Sequence, residues 1–90
     1  MTQEQTLEFI EVEEVLLKER MLVLCNDDVN TFDFVIESLI KICNHTPEQA
    51  EQCAYIVHFN GKCSVKNGTY KGLKPLKEAL SDLGLSVVIE

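Results

Sequence analysis

The sequence predicts a small α+β domain of order β-α-α-β-α-β, with three helices packed on one face of a mostly antiparallel three-stranded sheet. Three observations carry the prediction. Apolar runs at Met21–Leu24 and Leu85–Ile89 have strand length and no helical period. Apolar residues recur at helical spacing from Phe32 to Cys43 and again from Ala50 to Val57. The chain has 90 residues, and a chain of that size buries roughly 60–65% of its extended surface, enough for one modest core.

Residues 1–12 are polar and acidic and read as a flexible extension ahead of a core domain over residues 13–90. The first strand lies within Glu13–Cys25, and its unbroken apolar run predicts cover on both faces. The first helix starts near Asn30 or Thr31. There Asn30-Thr31-Phe32-Asp33 sets a cap residue three positions before an acid, close to a capping box. Its apolar stripe is Phe32, Val35, Ile36, Leu39, Ile40 and Cys43, and Asn44-His45 ends it. Thr46-Pro47-Glu48-Gln49 opens the second helix with a cap, a first-turn proline and a glutamine placed to reach back. Ala50, Cys53, Ala54 and Val57 form its stripe, and Gly61 is placed to stop it. A short strand over Cys63–Val65 precedes an Asn67-Gly68 turn signal. Leu73–Leu83 reads as a short third helix, with Pro75 tolerable only in its first turn, and Gly84 separates it from the last strand.

A net charge of −7 argues against nucleic acid and anionic membrane as partners. The charge is uneven: residues 1–20 hold six acids against Lys18 and Arg20, while residues 61–77 hold five lysines and no acid. That asymmetry is either a solvated surface or a docking face for an acidic partner. The first residues lack the basic patch and apolar run of a signal peptide, and no stretch has the roughly 20 apolar residues of a membrane span. The expected compartment is the cytoplasm. Cys25, Cys43, Cys53 and Cys63 form no CxxC pair, so they read as small buried hydrophobes rather than as a zinc site. No cofactor and no metal are expected.

The chemistry concentrates at Asn26-Asp27-Asp28, between the first strand and the first helix. The plain reading is turn and helix-terminus chemistry: acids before a helix stabilise its positive end by about 0.3–1 kcal/mol each, and Asn and Asp suit turns. His58, near the end of the second helix, raises other possibilities. Cys–His catalysis with Cys25 or Cys53 lacks orienting and oxyanion groups. A Cys53/His58/Cys63 metal site and acid–base work by Asp27 and Asp28 likewise lack accompanying elements.

Asn26-Asp27-Asp28 after a strand, the aromatic helix start Phe32-Asp33-Phe34-Val35, and Val57-His58-Phe59-Asn60-Gly61-Lys62-Cys63 about thirty residues on together resemble the ClpS family. These are bacterial adaptors that bring N-degron substrates to the Clp unfoldase–protease. The resemblance covers roughly residues 15–90 and looks like a divergent branch. It implies a binding module and not an enzyme, one that holds the free N-terminal Leu, Phe, Tyr or Trp of a substrate and delivers it to the N-terminal domain of a Clp AAA+ unfoldase. By the family pattern Asn26, Asp27 and His58 bind the α-ammonium, while Asn30, Phe32, Val35, Ala54, Val57 and Leu85 line the pocket for the first side chain, with Leu24 supporting its floor. Asp28 falls to loop stabilisation or capping.

An ammonium presents three N–H donors and a positive charge, and amide, carboxylate and neutral imidazole acceptors from different directions suit it. Burying a Leu or Phe side chain beside it contributes roughly 1.5–3 kcal/mol. Two departures stand out. Relatives often carry Met where this chain has Phe32 and Ala54, which predicts an altered first-residue preference. The segment Val65–Lys77 matches the family poorly, and within it Lys71, Lys74 and Lys77 are the residues expected to dock the unfoldase. In the family the N-terminal extension engages the unfoldase during handover. The competing readings are a Cys/His enzyme and an interaction domain of the same fold whose Asn26-Asp27-Asp28 loop is only a cap.

Overall fold

The computed structural model describes residues 17–90. The acidic extension expected over residues 1–12, and the start of the core at residue 13, lie outside the described residues. The described chain runs β1 (Glu19–Cys25), α1 (Phe32–Cys43), α2 (Pro47–Asn60), β2 (Lys62–Thr69), α3 (Tyr70–Asp82) and β3 (Ser86–Ile89). The three strands form one antiparallel sheet of order β2-β1-β3. The fold class and element order are those the sequence predicts.

β1 is the central strand, and its position explains its composition. Leu22, Val23 and Leu24 are 0%, 3% and 1% exposed, so this strand is covered on both faces. Leu22 and Leu24 join the core with Leu39 and Cys43 of α1, Ala50 and Val57 of α2, and Leu73 and Leu80 of α3. At the chain end Met21 and Glu90 exchange both backbone hydrogen bonds, at 2.9 and 2.8 Å.

The helix ends follow local chemistry where the signal is strong. Thr46 caps α2, its hydroxyl accepting from the Gln49 N–H while the Gln49 side chain accepts from the Thr46 N–H, and Pro47 occupies the first turn. Gly61 closes α2 at φ +92°, a left-handed conformation that favours glycine. Asn44, at φ 56°, caps α1.

Four local expectations are corrected. α1 is capped by Thr31, whose hydroxyl accepts from the Phe34 N–H, and not by Asn30, whose side chain is engaged elsewhere. On α1 it is Phe34 that packs against the core, while Ile40 is 36% exposed. β2 is eight residues long and absorbs Asn67-Gly68, which pair with Met21 and Arg20 rather than turning; continued pairing along β1 overrides the turn signal. α3 is not short. It starts at Tyr70 under a Thr69 cap, runs 13 residues and contains Pro75 in its interior. Pro75 offers no N–H to the Lys71 carbonyl, and burial of Leu73 and Leu80 on either side of it offsets that loss.

Register between β1 and β2 shifts after Leu22, leaving Val65 as the extra residue of a β-bulge. The Val65 carbonyl accepts from His45 Nε2 at 2.7 Å, so the link after α1 is tied to the outer strand. The Cys43 carbonyl at the end of α1 accepts from Lys66 Nζ at 3.5 Å, a basic group where the helix terminus is negative.

Leu39 is fully buried. Leu39→Ala is expected to lower unfolding free energy by about 2–5 kcal/mol in urea titrations, and a loss under about 1 kcal/mol would contradict the packing described.

Candidate functional site

A cavity of about 350 Å³ opens between the β1–α1 loop and α2, at the small end of the range for ligand pockets. Its lining brings together Asn26, Asp27, Asn30, Phe32, Val35, Ala54, Val57, His58 and Leu85, with Leu24 beneath. The sequence resemblance groups the same residues. Cys25 and Asp28 also line it, and nothing in the sequence singled Cys25 out for that place.

The apolar wall follows from helix and strand periodicity. Ala54 and Val57 belong to the buried face of α2 and are 3% and 6% exposed. Val35 reaches in from the first turn of α1, and Leu85 from the residue before β3. The polar rim comes from the loop that follows Cys25. The Asn26 N–H donates to the Gly61 carbonyl at 2.8 Å, so the loop hangs on the C-terminal cap of α2.

Asp27 organises that loop. Its Oδ1 accepts from the Val29 and Asn30 N–H groups at 2.9 and 2.8 Å, and its Oδ2 accepts from Asn30 Nδ2 at 2.8 Å. Asn30 Nδ2 also donates to the Gly84 carbonyl at 2.9 Å. Asn30 thereby joins the loop to the turn that presents Leu85, and its amide oxygen has no donor among the described residues. The loop-holding carboxylate is Asp27; Asp28, expected in that role, makes no such bond among the described residues. A carboxylate has about four acceptor positions, so with three donors placed Asp27 keeps room for one more at Oδ2.

Burial alone pushes the Asp27 carboxyl up. The hydrogen bonds from the Asn30 backbone, the Asn30 side chain and the Val29 backbone outweigh it, and the group titrates below its ordinary value. The site therefore holds an ionised carboxylate at neutral pH. His58 is exposed at the rim, with its ring 6.4 Å from that of Phe32 and 4.9 Å from that of Phe59.

Cys53, one of the two cysteines considered with His58, is not an activated thiol. Burial, and then the neighbouring Cys63 and Cys43, push the Cys53 thiol up to about 12, the opposite of an activated thiolate. Burial also raises Cys43, with Lys66 partly opposing it. Among the described residues no group of three His, Cys, Asp or Glu side chains is placed to hold a metal ion. Lys71, Lys74 and Lys77 lie on α3 beside Tyr70 and Glu78, outside the cavity lining.

The family model described as "ATP-dependent Clp protease adaptor protein ClpS" matches residues 18–87. The ClpS adapter of Campylobacter jejuni is 43% identical over 61 residues, 68% of this chain and 62% of that protein's length. The ClpS adapter of Treponema denticola is 43% identical over 44 residues, 49% of this chain and 44% of the other. Agrobacterium tumefaciens ClpS2, solved bound to L-phenylalaninamide, superimposes with a TM-score of 0.69 at 19% identity, covering 81% of this chain and 95% of that one. That last likeness concerns the fold.

Because native Asp27 titrates below its ordinary value, its ionised form stabilises the fold at neutral pH. This contribution is lost as pH falls from about 4 through the lowered native value. The stability gap between wild type and Asp27→Asn, from urea midpoints, is expected to be steady above about pH 5 and to shrink below about pH 4. A gap that stays constant down to about pH 3 would remove Asp27 as the ionised anchor of the loop.

Proposed function

The chain belongs to the ClpS family of ATP-dependent Clp protease adaptors, and from that premise we propose that it binds the free N-terminal residue of substrate proteins and hands them to a Clp unfoldase. The observation that carries this reading is Asp27. It is an ionised carboxylate held rigidly by three donors, with one acceptor position open at the mouth of an apolar cavity. An α-ammonium supplies the missing donor and the complementary charge, and a hydrogen bond with an ionised partner is roughly twice as strong as a neutral one. Asn26 adds an amide oxygen. His58 adds a ring nitrogen while its ring is neutral.

The second half of the ligand follows from the wall. Val35, Ala54, Val57 and Leu85 offer only apolar surface to a side chain entering beside the ammonium. The ligand class is then a chain end that begins with a large apolar residue: Leu, Phe, Tyr or Trp. L-Phenylalaninamide, the ligand of Agrobacterium ClpS2, has this chemistry, a free α-amine beside a benzyl group. An internal Leu lacks the ammonium, and an N-terminal Lys or Asp brings a charge into the apolar wall.

The role is delivery rather than catalysis, with the protease supplying the chemistry. Lys71, Lys74 and Lys77, together on α3 and away from the cavity, are the proposed contact with the unfoldase's N-terminal domain. An adaptor needs these two surfaces separate, so that substrate and unfoldase are held at once. The cytoplasm is the compartment this role requires.

One observation favours a second reading: three donors already on Asp27 make a complete loop cap without any ligand. Binding of a labelled peptide that starts with free Phe separates the two. Asp27→Ala and His58→Ala, each shown to remain folded, are expected to weaken it roughly tenfold or more, the scale of a lost hydrogen bond to a charged group. Undiminished affinity in both would leave an interaction domain with a capped loop. In the same assay, peptides differing only at residue one are expected to depart from the order Leu, Phe, Tyr, Trp, because small Ala54 and rigid Phe32 reshape the wall. Ala54→Met should narrow the cavity and change that order, and a ranking untouched by it would sink this view of specificity.

A further inference from the structure

Four rings form a closed circuit at one side of the cavity mouth. Phe32 meets Tyr55 edge-on at 4.8 Å, Tyr55 lies parallel to Phe59 at 6.1 Å, Phe59 meets His58 edge-on at 4.9 Å, and His58 meets Phe32 edge-on at 6.4 Å. Phe32 and His58 line the cavity; Tyr55 and Phe59 do not. Tyr55 and Phe59 are instead 49% and 73% exposed. They sit four residues apart on α2, and so on one face of it. The core makes no use of these two rings, and the described fold does not cover them.

From this arrangement we propose that Tyr55 and Phe59 form a subsite for the second residue of the bound chain end, selecting an aromatic side chain there. The inference rests on the N-terminal reading above and extends it by one residue. Consecutive Cα atoms are 3.8 Å apart, so a ligand whose ammonium sits at Asp27 and His58 has its second residue over the rim of the cavity. Successive side chains of an extended chain point to opposite sides. With the first side chain directed into the cavity, the second is directed out of it. Phe59 adjoins His58 and Tyr55 adjoins Phe32, and His58 and Phe32 both line the cavity. The Asn26-Asp27-Asp28 loop that also lines it is polar and acidic. An aromatic second residue therefore finds ring partners in Tyr55 and Phe59 and none in that loop.

The geometry suits the task. Tyr55 and Phe59 are 5° from parallel, so a third ring can stack beside them or meet their edges. Phe32 couples the subsite to the pocket, because it both lines the cavity and packs edge-on against Tyr55. Occupying the pocket and occupying the rim thus act on the same side chain.

The test uses the full chain and two labelled peptides with a free N-terminal Leu, alike except for Phe or Ala at position two. The Leu-Phe peptide is expected to bind about two- to tenfold tighter, the factor associated with aromatic pairing. In Phe59→Ser that advantage should fall to parity while affinity for the Leu-Ala peptide stays unchanged. Phe59→Leu, which keeps the apolar surface but not the ring, should lose most of it. Equal binding of both peptides by the wild type, or an advantage that survives in both variants, would overturn the subsite and leave the N-terminal pocket standing. Failure of both peptides to bind the folded wild type would overturn the pocket reading and the subsite together.

Discussion

The site depends on one arrangement of hydrogen bonds, the chain Asp27–Asn30–Gly84. Asp27 closes its own loop through the Val29 and Asn30 N–H groups, fixes the Asn30 side chain, and through it reaches the Gly84 carbonyl 54 residues further along. Asn30 uses both N–H bonds of its amide in this, so the direction of its oxygen is set. The loop, the turn before β3 and the Leu85 side chain are thereby held in one piece. A carboxylate committed to three donors cannot wander, and its remaining acceptor position points where the loop aims it.

What the loop is anchored to matters as much. Asn26 hangs on Gly61, the left-handed residue that ends α2, and α2 carries Ala54, Val57 and His58 on its way there. The polar acceptors and the apolar wall are thus referred to the same helix terminus. Ala50 and Ala54, both buried, let α2 lie close on its neighbours, and the small side chain at position 54 leaves space that becomes cavity. A larger residue there would pack the core and narrow the pocket in one stroke. Core and cavity share this helix face, so a change at Ala54 alters packing and cavity shape together.

Much of this was legible in the sequence where the determinants are local. The capping box at Thr46, the stop at Gly61 and the apolar run Leu85–Ile89 involve neighbours along the chain. The grouping of the pocket residues followed from the family pattern rather than from periodicity. What was not legible depends on partners far away in sequence. Asn67-Gly68 reads as a turn until Met21 and Arg20 are laid beside it. Pro75 reads as a helix start until Leu73 and Leu80 are seen buried on either side of it. Asn30 reads as a cap until Gly84 is found to accept from its side chain. The bulge carbonyl of Val65 gave no signal, and neither did its partner His45. Tyr55 and Phe59 also gave no signal, because only the fold sets these two rings beside Phe32 and His58 of the cavity.

The central claim is that this cavity recognises a chain end. It is tested most directly by the affinity of a peptide beginning with free Phe against the same peptide N-acetylated. Acetylation removes the charge and two of the three donors while leaving the benzyl group intact. If Asp27, Asn26 and His58 hold an ammonium, the free peptide binds and the acetylated one does not. Equal affinity for the two would show that the apolar wall alone holds the ligand, and the claim would fail.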